Sequence, residues 1–404
     1  MLCRFLATVI RSYLDALMHT LGLLIGWFAP SNWISWKPTS MAQLAQAENK
    51  LLRCVKHVIN RRFVILPRTQ HRIWTIAVNE DFERADKSQV TPIVLVHGFG
   101  GGIGLWSQNL NSLAKNAPVY AFDVLGFGQS ARPTFSKNAA LAEMQFVESI
   151  EEWRKEMKLD SFIMLGHSFG GYLASSFAIR YPESVKHLVL VDPWGFPEQP
   201  PVHQRRKLPY WAKLTAALMS PFNPLAAIRV AGPLGKSLVK NFRPDLKLRF
   251  SDDDDEDTIF DYIYHCNAQT PSGETAFRNM TKGIGWAKRP MIHRITDIPD
   301  YIPITMIYGA KSWMDSNAGN HVKYLRNTSY VDVQVVKGAG HHVYADKPIP
   351  FNTLITQICD LVDRGILPLK SNSPKYKQGM TNRTTSESSP DKDLTQPDTV
   401  PSSL

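Results

Sequence analysis

The sequence predicts one α/β domain, a mostly parallel sheet covered by helices on both faces and interrupted by a helical insertion. Three observations predict it. From about Arg72, short apolar runs rich in β-branched residues alternate with helical stretches, the pattern of strands buried on both faces. That rhythm stops at Pro193 and resumes at about Ile302. A G-x-S-x-G directly follows one of the runs and opens a helix.

In chain order, residues 1–38 hold an uncharged apolar stretch, 16–30, broken by His19, with Trp27 near its end and Trp33 and Trp36 after it. The stretch is shorter than the roughly 20 residues of a spanning helix, and no small-residue cleavage site follows it. Tryptophan beside Arg and Lys favours the water–lipid boundary, so an in-plane lipid anchor is expected. The alternative is an apolar arm folded on the core. Residues 1–79 carry ten Lys/Arg against two acidic residues, which suits an anionic surface. No nucleic-acid-binding motif accompanies that charge. Residues 39–71 read as a basic helical lead-in.

The first core segment, 72–193, contains "RIWTIAV", "PIVLVHG", "PVYAFDV", "SFIMLGH" and "HLVLVD" as strands, with "EMQFVESIEEWRKEM" among the helices. Residues 194–297 are rich in Pro, Trp and charge, and sit where a lid would; their "DDDDED" reads as a solvated helix start, with calcium binding the second reading. The core resumes over 298–367 with "IPITMIYG", "VDVQVV" and the helix "FNTLITQICDLVD". Residues 368–404 are polar and almost free of aromatics, and are expected to be disordered. Four scattered cysteines without a CxxC argue against a disulfide framework or structural zinc and favour a reducing compartment. Three Asn-x-Ser/Thr matches, at Asn279, Asn327 and Asn382, carry little weight.

The chemistry centres on Gly166-His167-Ser168-Phe169-Gly170. A serine on a sharp strand-to-helix turn needs small residues two positions either side, which Gly166 and Gly170 supply. Its hydroxyl would stand at the positive end of the helix. The oxyanion hole is expected from the backbone N–H of Phe169 and that of Phe99, in the glycine-rich loop 97–102. A phosphate-cradling loop is the competing reading, but neither a P-loop nor a dinucleotide fingerprint is present. The chain order Ser, acid, His admits Asp315 and Asp192; Asp315 is the expected acid because it stands just before the histidine's strand, Asp192 is its rival, and His341 is the base. The spacing His341-x4-Asp346 matches an acyltransferase box, whereas Asp346 before Lys347-Pro348 also suits a helix N-cap, the preferred reading. His341-His342 as a metal site lacks further ligands. No metal and no cofactor are expected.

The runs "WISWKPTS", "VHGFGGGIGLW", "AFDVLGFGQSARP", "FVESIEEWR", "VDPWGFPE", "NPLAAIRVAGPLG", "DYIYHCNAQTPSGETAF", "GWAKRPM" and "GHHVYAD" closely resemble the α/β-hydrolase domain-containing protein 4/5 subfamily (comparative gene identification-58-like), peptidase S33-type α/β hydrolases. The likeness extends from about residue 26 to residue 363. It implies the α/β-hydrolase fold. One branch of the subfamily is a serine lipase acting on lysophospholipids and N-acyl phosphatidylethanolamines. The other is a lipid-droplet co-activator of a triglyceride lipase, with a proposed lysophosphatidic acid acyltransferase activity and Asn in place of the nucleophile. This chain has Ser168. It also has Lys311 and Gly340, which match a basic residue and a glycine of the co-activator branch and so mark a partner surface. The resemblance therefore implies a serine carboxylic-ester hydrolase of lipid homeostasis, with co-activation or acyl transfer as the alternative. Its implied partners are a phospholipid or lysophospholipid substrate, a membrane or lipid-droplet surface and a triglyceride lipase. The implied location is cytoplasmic, peripheral on lipid droplets or endoplasmic reticulum, with the mitochondrion as a further possibility.

Overall fold

The computed structural model describes residues 39–82, 90–201, 234–250, 257–283 and 285–366, together with 225, 228–229 and 231. Trp27, Trp33 and Trp36, the acidic residues 252–256 and the tail 368–404 lie outside the described residues.

The chain enters with α1 (Met41–Leu51), opened by Ser40, whose hydroxyl accepts the Gln43 N–H. The sheet then begins earlier than expected. Residues 59–65, placed by sequence in a helical lead-in, form β1 (Ile59–Ile65), antiparallel to β2 (Arg72–Val78). The alternation that marks a strand is disguised there by Arg61 and Arg62, tolerable because β1 is an edge strand. Arg62 pairs with Glu80, and Phe63 packs on Trp74 with ring centroids 4.8 Å apart.

After these come β3 (Ile93–Val96), α2 (Ser107–Leu113), β4 (Val119–Phe122), α3 (Ala139–Glu156), β5 (Phe162–His167), α4 (Phe169–Arg180) and β6 (Val185–Val191). Asn138 caps α3 by accepting two backbone N–H groups. Within the insertion the described elements are α5 (Gly235–Phe242), α6 (Asp245–Phe250), α7 (Thr258–Asn267), α8 (Gly273–Met280) and a two-residue ladder of β7 (Thr281–Lys282) with β8 (Trp286–Ala287). The core closes with β9 (Ile304–Gly309), α9 (Asn317–Leu325), β10 (Val331–Val336), the single turn α10 (Val343–Asp346) and α11 (Pro348–Asp363).

Strand order in the eight-stranded sheet is β1-β2-β4-β3-β5-β6-β9-β10. All pairs from β4 to β10 are parallel. Because side chains alternate across a strand, each central strand feeds two cores. Val94, Val96, Met164 and Leu190 pack into one, and Ile93, Leu95, Ile163 and Val189 into the other. Every residue of β3, β4, β5 and β9 is buried. Burying each such aliphatic side chain contributes about 1.5–3 kcal/mol, which fixes the register of the strands. The reversal of strand order beside β3 leaves the carboxyl ends of β3, β5, β6 and β9 clustered at one sheet edge, where ligands of open α/β sheets bind. Among the described residues no helix is long and apolar enough to cross a membrane.

Candidate active site

Ser168 follows β5 directly and precedes α4, with φ 52° and ψ −116°. A non-glycine residue in this conformation is strained, and the surrounding glycines permit it. A Cβ at Gly170 would lie 2.3 Å from the Val96 carbonyl oxygen, and one at Gly166 would lie 2.4 Å from that of Gly170. No side chain fits at either place. The turn raises the serine hydroxyl beyond the strand end and sets it at the N-terminus of a 12-residue helix, whose positive end favours developing negative charge.

His341, in the loop after β10, brings Nε2 to 3.1 Å from Ser168 Oγ. Its Nδ1 lies 2.6 Å from Oδ2 of Asp192. The carboxylate can only accept, so Nδ1 carries the hydrogen and Nε2 is left to accept the serine proton. Asp192 is fully buried, directly after β6 and one strand from Ser168. It also accepts from the Gly309 N–H at 3.2 Å and from the Ser312 hydroxyl. Asp315, expected to hold the imidazole, does not reach it. It lies six residues past the end of β9, exposed, and accepts the Asn317 N–H at 2.9 Å at the entrance to α9. The loop after β9 thus supplies Ser312, which orients the carboxylate, while the acid itself comes from the strand before.

His167, one of the two unspecified residues of the pentapeptide, has a role that sequence reasoning did not assign. Its Nε2 donates to the His341 carbonyl at 3.0 Å, tying the histidine loop to the elbow. Burial, and then the neighbouring imidazole of His341, hold it well below the usual histidine range, so it acts as a neutral donor.

The loop after β3 comes close to the serine: a Cβ at Gly98 would lie 3.1 Å from Ser168 Cβ. The N–H groups of Phe99 and Phe169 make none of the hydrogen bonds found among the described residues, leaving both free for a bound oxygen. His97 governs one of them. Its Nε2 accepts from the Val124 N–H at 2.9 Å, which leaves Nδ1 to donate to the Gly98 carbonyl at 2.8 Å. Burial lowers its pKa to about 4 and keeps it neutral. In a trans peptide the carbonyl and the following N–H point in opposite directions, so pinning the Gly98 oxygen aims the Phe99 N–H.

Asp346 is not the cap of α11. The residue before that helix is Lys347, which makes no side-chain cap, although Pro348 occupies the first turn as expected. The Asp346 carboxylate turns back instead, accepts the Gly340 N–H at 2.7 Å and pairs with Arg249 of α6. The sequence could not reveal this partner, because Arg249 is nearly a hundred residues away and lies in the insertion. His342 packs against His167 and Tyr344, its Nδ1 3.5 Å from Arg243. Burial, and then His167 and Arg243, push its pKa well below the ordinary value. Among the described residues the side-chain hydrogen bond at Ser168 Oγ is made by His341, not by His342. Lys311 and Gly340 come together on neighbouring loops, where the Lys311 N–H donates to the Ala339 carbonyl at 2.7 Å. Exposed Trp313 lies beside them, its ring 5.2 Å from that of His341.

Residues 91–348 match the family model of the alpha/beta hydrolase fold. A cattle (Bos taurus) protein named (Lyso)-N-acylphosphatidylethanolamine lipase is 52% identical over 83% of this chain and 98% of its own length. The chain belongs to the α/β-hydrolase family. Within that family it falls in a branch with two kinds of named relative. A human protein named 1-acylglycerol-3-phosphate O-acyltransferase ABHD5 is 50% identical over 80% of this chain and 92% of its own. Among solved α/β-hydrolase structures, the naproxen esterase of Bacillus subtilis superposes with a TM-score of 0.55 at 15% identity, covering 78% of this chain and 97% of that one. A likeness at that identity speaks for the fold alone.

Proposed function

We propose that this α/β hydrolase is a serine carboxylic-ester hydrolase that cleaves acyl groups from lyso- or N-acyl phospholipids. The observation that carries the reading is the hydrogen-bonded series Ser168–His341–Asp192, with hydroxyl, imidazole and buried carboxylate at 3.1 Å and 2.6 Å. In the reaction, Ser168 attacks the acyl carbonyl while His341 takes its proton. The N–H groups of Phe99 and Phe169 stabilise the oxyanion, and Asp192 holds the imidazole and stabilises its charged form. His341 then protonates the leaving alcohol and activates water to release the fatty acid. The lipid substrate class follows from the name of the 52% identical relative.

A fluorophosphonate probe tests this, with Ser168→Ala as control. Labelling is expected in the wild-type protein and absent in the variant. Folded wild-type protein that takes no label at Ser168 would overturn the reading.

The second reading is a partner surface at Lys311 and Gly340, favoured by their placement on adjoining loops beside exposed Trp313. Stimulation of a triglyceride lipase that survives Ser168→Ala would support it, and no stimulation would count against it. Residues 1–38, with Trp27, Trp33 and Trp36, are proposed to hold the protein to a lipid-droplet or endoplasmic reticulum surface. Their deletion should release it from membranes into the supernatant on flotation. Undiminished binding would remove that proposal.

A further inference from the structure

The loop that supplies the Phe99 N–H contains Gly98, Gly100, Gly101 and Gly102. So many glycines give a backbone with little preference of its own, and an oxyanion donor is useful only if it is already aimed. Something outside the loop must fix it. His97 holds one peptide plane from the core side, as described above. The opposite side is held by the insertion. Asn267, the last residue of α7, is 5% exposed, and its Nδ2 donates to the Gly100 carbonyl at 2.8 Å and to the Ile263 carbonyl at 2.9 Å. Both partners can only accept, so the amide has one orientation. Gly100 sits at φ +67°, and a Cβ there would lie 3.2 Å from Asn267 Oδ1. Phe277 of α8 meets the Phe99 ring, with centroids 4.5 Å apart.

From Asn267 the hydrogen bonds run in series. The Gly100–Gly101 peptide receives the Asn267 amide at its carbonyl and donates its own N–H to the Gly98 oxygen at 3.2 Å. The Gly98–Phe99 peptide receives that bond and presents the Phe99 N–H at its other end. Each trans peptide passes orientation from its oxygen to its N–H, and bonds in such a chain polarise one another.

We infer that Asn267 is a positioning residue for oxyanion stabilisation, acting through the Gly100–Gly101 and Gly98–Phe99 peptides, so that part of the insertion completes the catalytic apparatus. The inference rests on the hydrolase reading. It makes α7 a brace of the oxyanion loop.

The test compares full-length wild type, Asn267→Ala and Asn267→Asp on a short-chain ester and its thionoester, whose sulfur is a poor hydrogen-bond acceptor. Removing a whole oxyanion donor costs ~10²–10³ in kcat. Loosening one should lower ester kcat by at least about tenfold, with KM within about twofold, because ground-state binding does not use the hole. Thionoester turnover should change by less than about twofold. The ester-to-thionoester ratio is independent of the fraction of folded enzyme, so it remains decisive for a variant that folds poorly. Equal losses on both substrates, or no loss on either, would overturn the role of Asn267. Wild-type protein without Ser168-dependent turnover would instead remove the hydrolase reading, and the inference with it.

Discussion

Replacing Asp192 by Asn separates the two carboxylates that the chain order offered. Asn is nearly isosteric, so packing at this fully buried position is kept. Its carbonyl oxygen can still accept the Gly309 N–H at the Oδ1 position, and its NH₂ at the Oδ2 position can donate to Ser312 Oγ, but it no longer forces the hydrogen onto His341 Nδ1. An NH₂ facing Nδ1 makes that nitrogen an acceptor and moves the imidazole hydrogen to Nε2, 3.1 Å from Ser168 Oγ. The imidazole then donates toward the serine when it should accept from it. In a serine hydrolase this error of tautomer costs ~10⁴ in kcat, or about 5 kcal/mol at 1.36 kcal/mol per tenfold. Asp315→Asn changes only an exposed turn at the start of α9 and should leave kcat within about threefold. The assay is steady-state hydrolysis of a soluble lysophospholipid, paired with the rate of fluorophosphonate labelling. An Asp192→Asn enzyme retaining more than about a tenth of wild-type activity would refute this reasoning. So would an Asp315→Asn loss of similar size.

Two further predictions concern groups near the site. Glu48 on α1 is buried against β2 and the loop after β4, where its Oε1 accepts from Trp74 at 2.7 Å and from Gln129 at 3.0 Å, while Oε2 has no hydrogen-bond partner among the described residues. Burial, and then the charge of Asp123, raise its pKa from 4.5 to about 8. The folded state therefore holds a proton that the unfolded chain releases near pH 4.5, and Glu48 withdraws stability as pH rises from there to about 8. In thermal melts, Glu48→Gln should raise the Tm relative to wild type more at pH 8 than at pH 5; parallel curves would contradict the placement of the group. Asp346→Asn weakens both the clamp on Gly340 N–H and the pair with Arg249. Ester hydrolysis and any acyl transfer should then fall together, by roughly 3- to 30-fold, equivalent to about 0.7 to 2 kcal/mol of lost positioning. Loss of transfer with hydrolysis spared would restore the acyltransferase-box reading.

Much of the site was legible from local pattern. Gly166-x-Ser168-x-Gly170 between an apolar run and a helix foretold the strained turn, because the chemistry of the turn is confined to five consecutive residues. His341 was legible as well, since it follows a strand whose alternation is plain. β1 was missed because two arginines on an edge strand break the apolar pattern that tertiary pairing with β2 makes unnecessary. His97 and His167 are single imidazoles in runs already explained by their glycines, and nothing in the runs says which nitrogen meets which carbonyl.

The sequence by itself determined what depends on short-range stereochemistry: the alternating elements, the elbow, the glycine-rich loop and the histidine in the loop after a strand. Only the tertiary structure decided which carboxylate reaches that histidine and what holds the oxyanion loop. Asp192 and Asp315 both stand beyond strand ends in the right chain order. The difference is that one lies directly after β6, beside Ser168's own strand, and the other lies six residues into solvent beyond β9. Asn267 and Arg249 reach the site from the insertion, across more than ninety residues of chain. Such contacts are set by how α6 and α7 pack over the strand ends, and a sequence pattern with the period of a helix or a strand does not encode that packing.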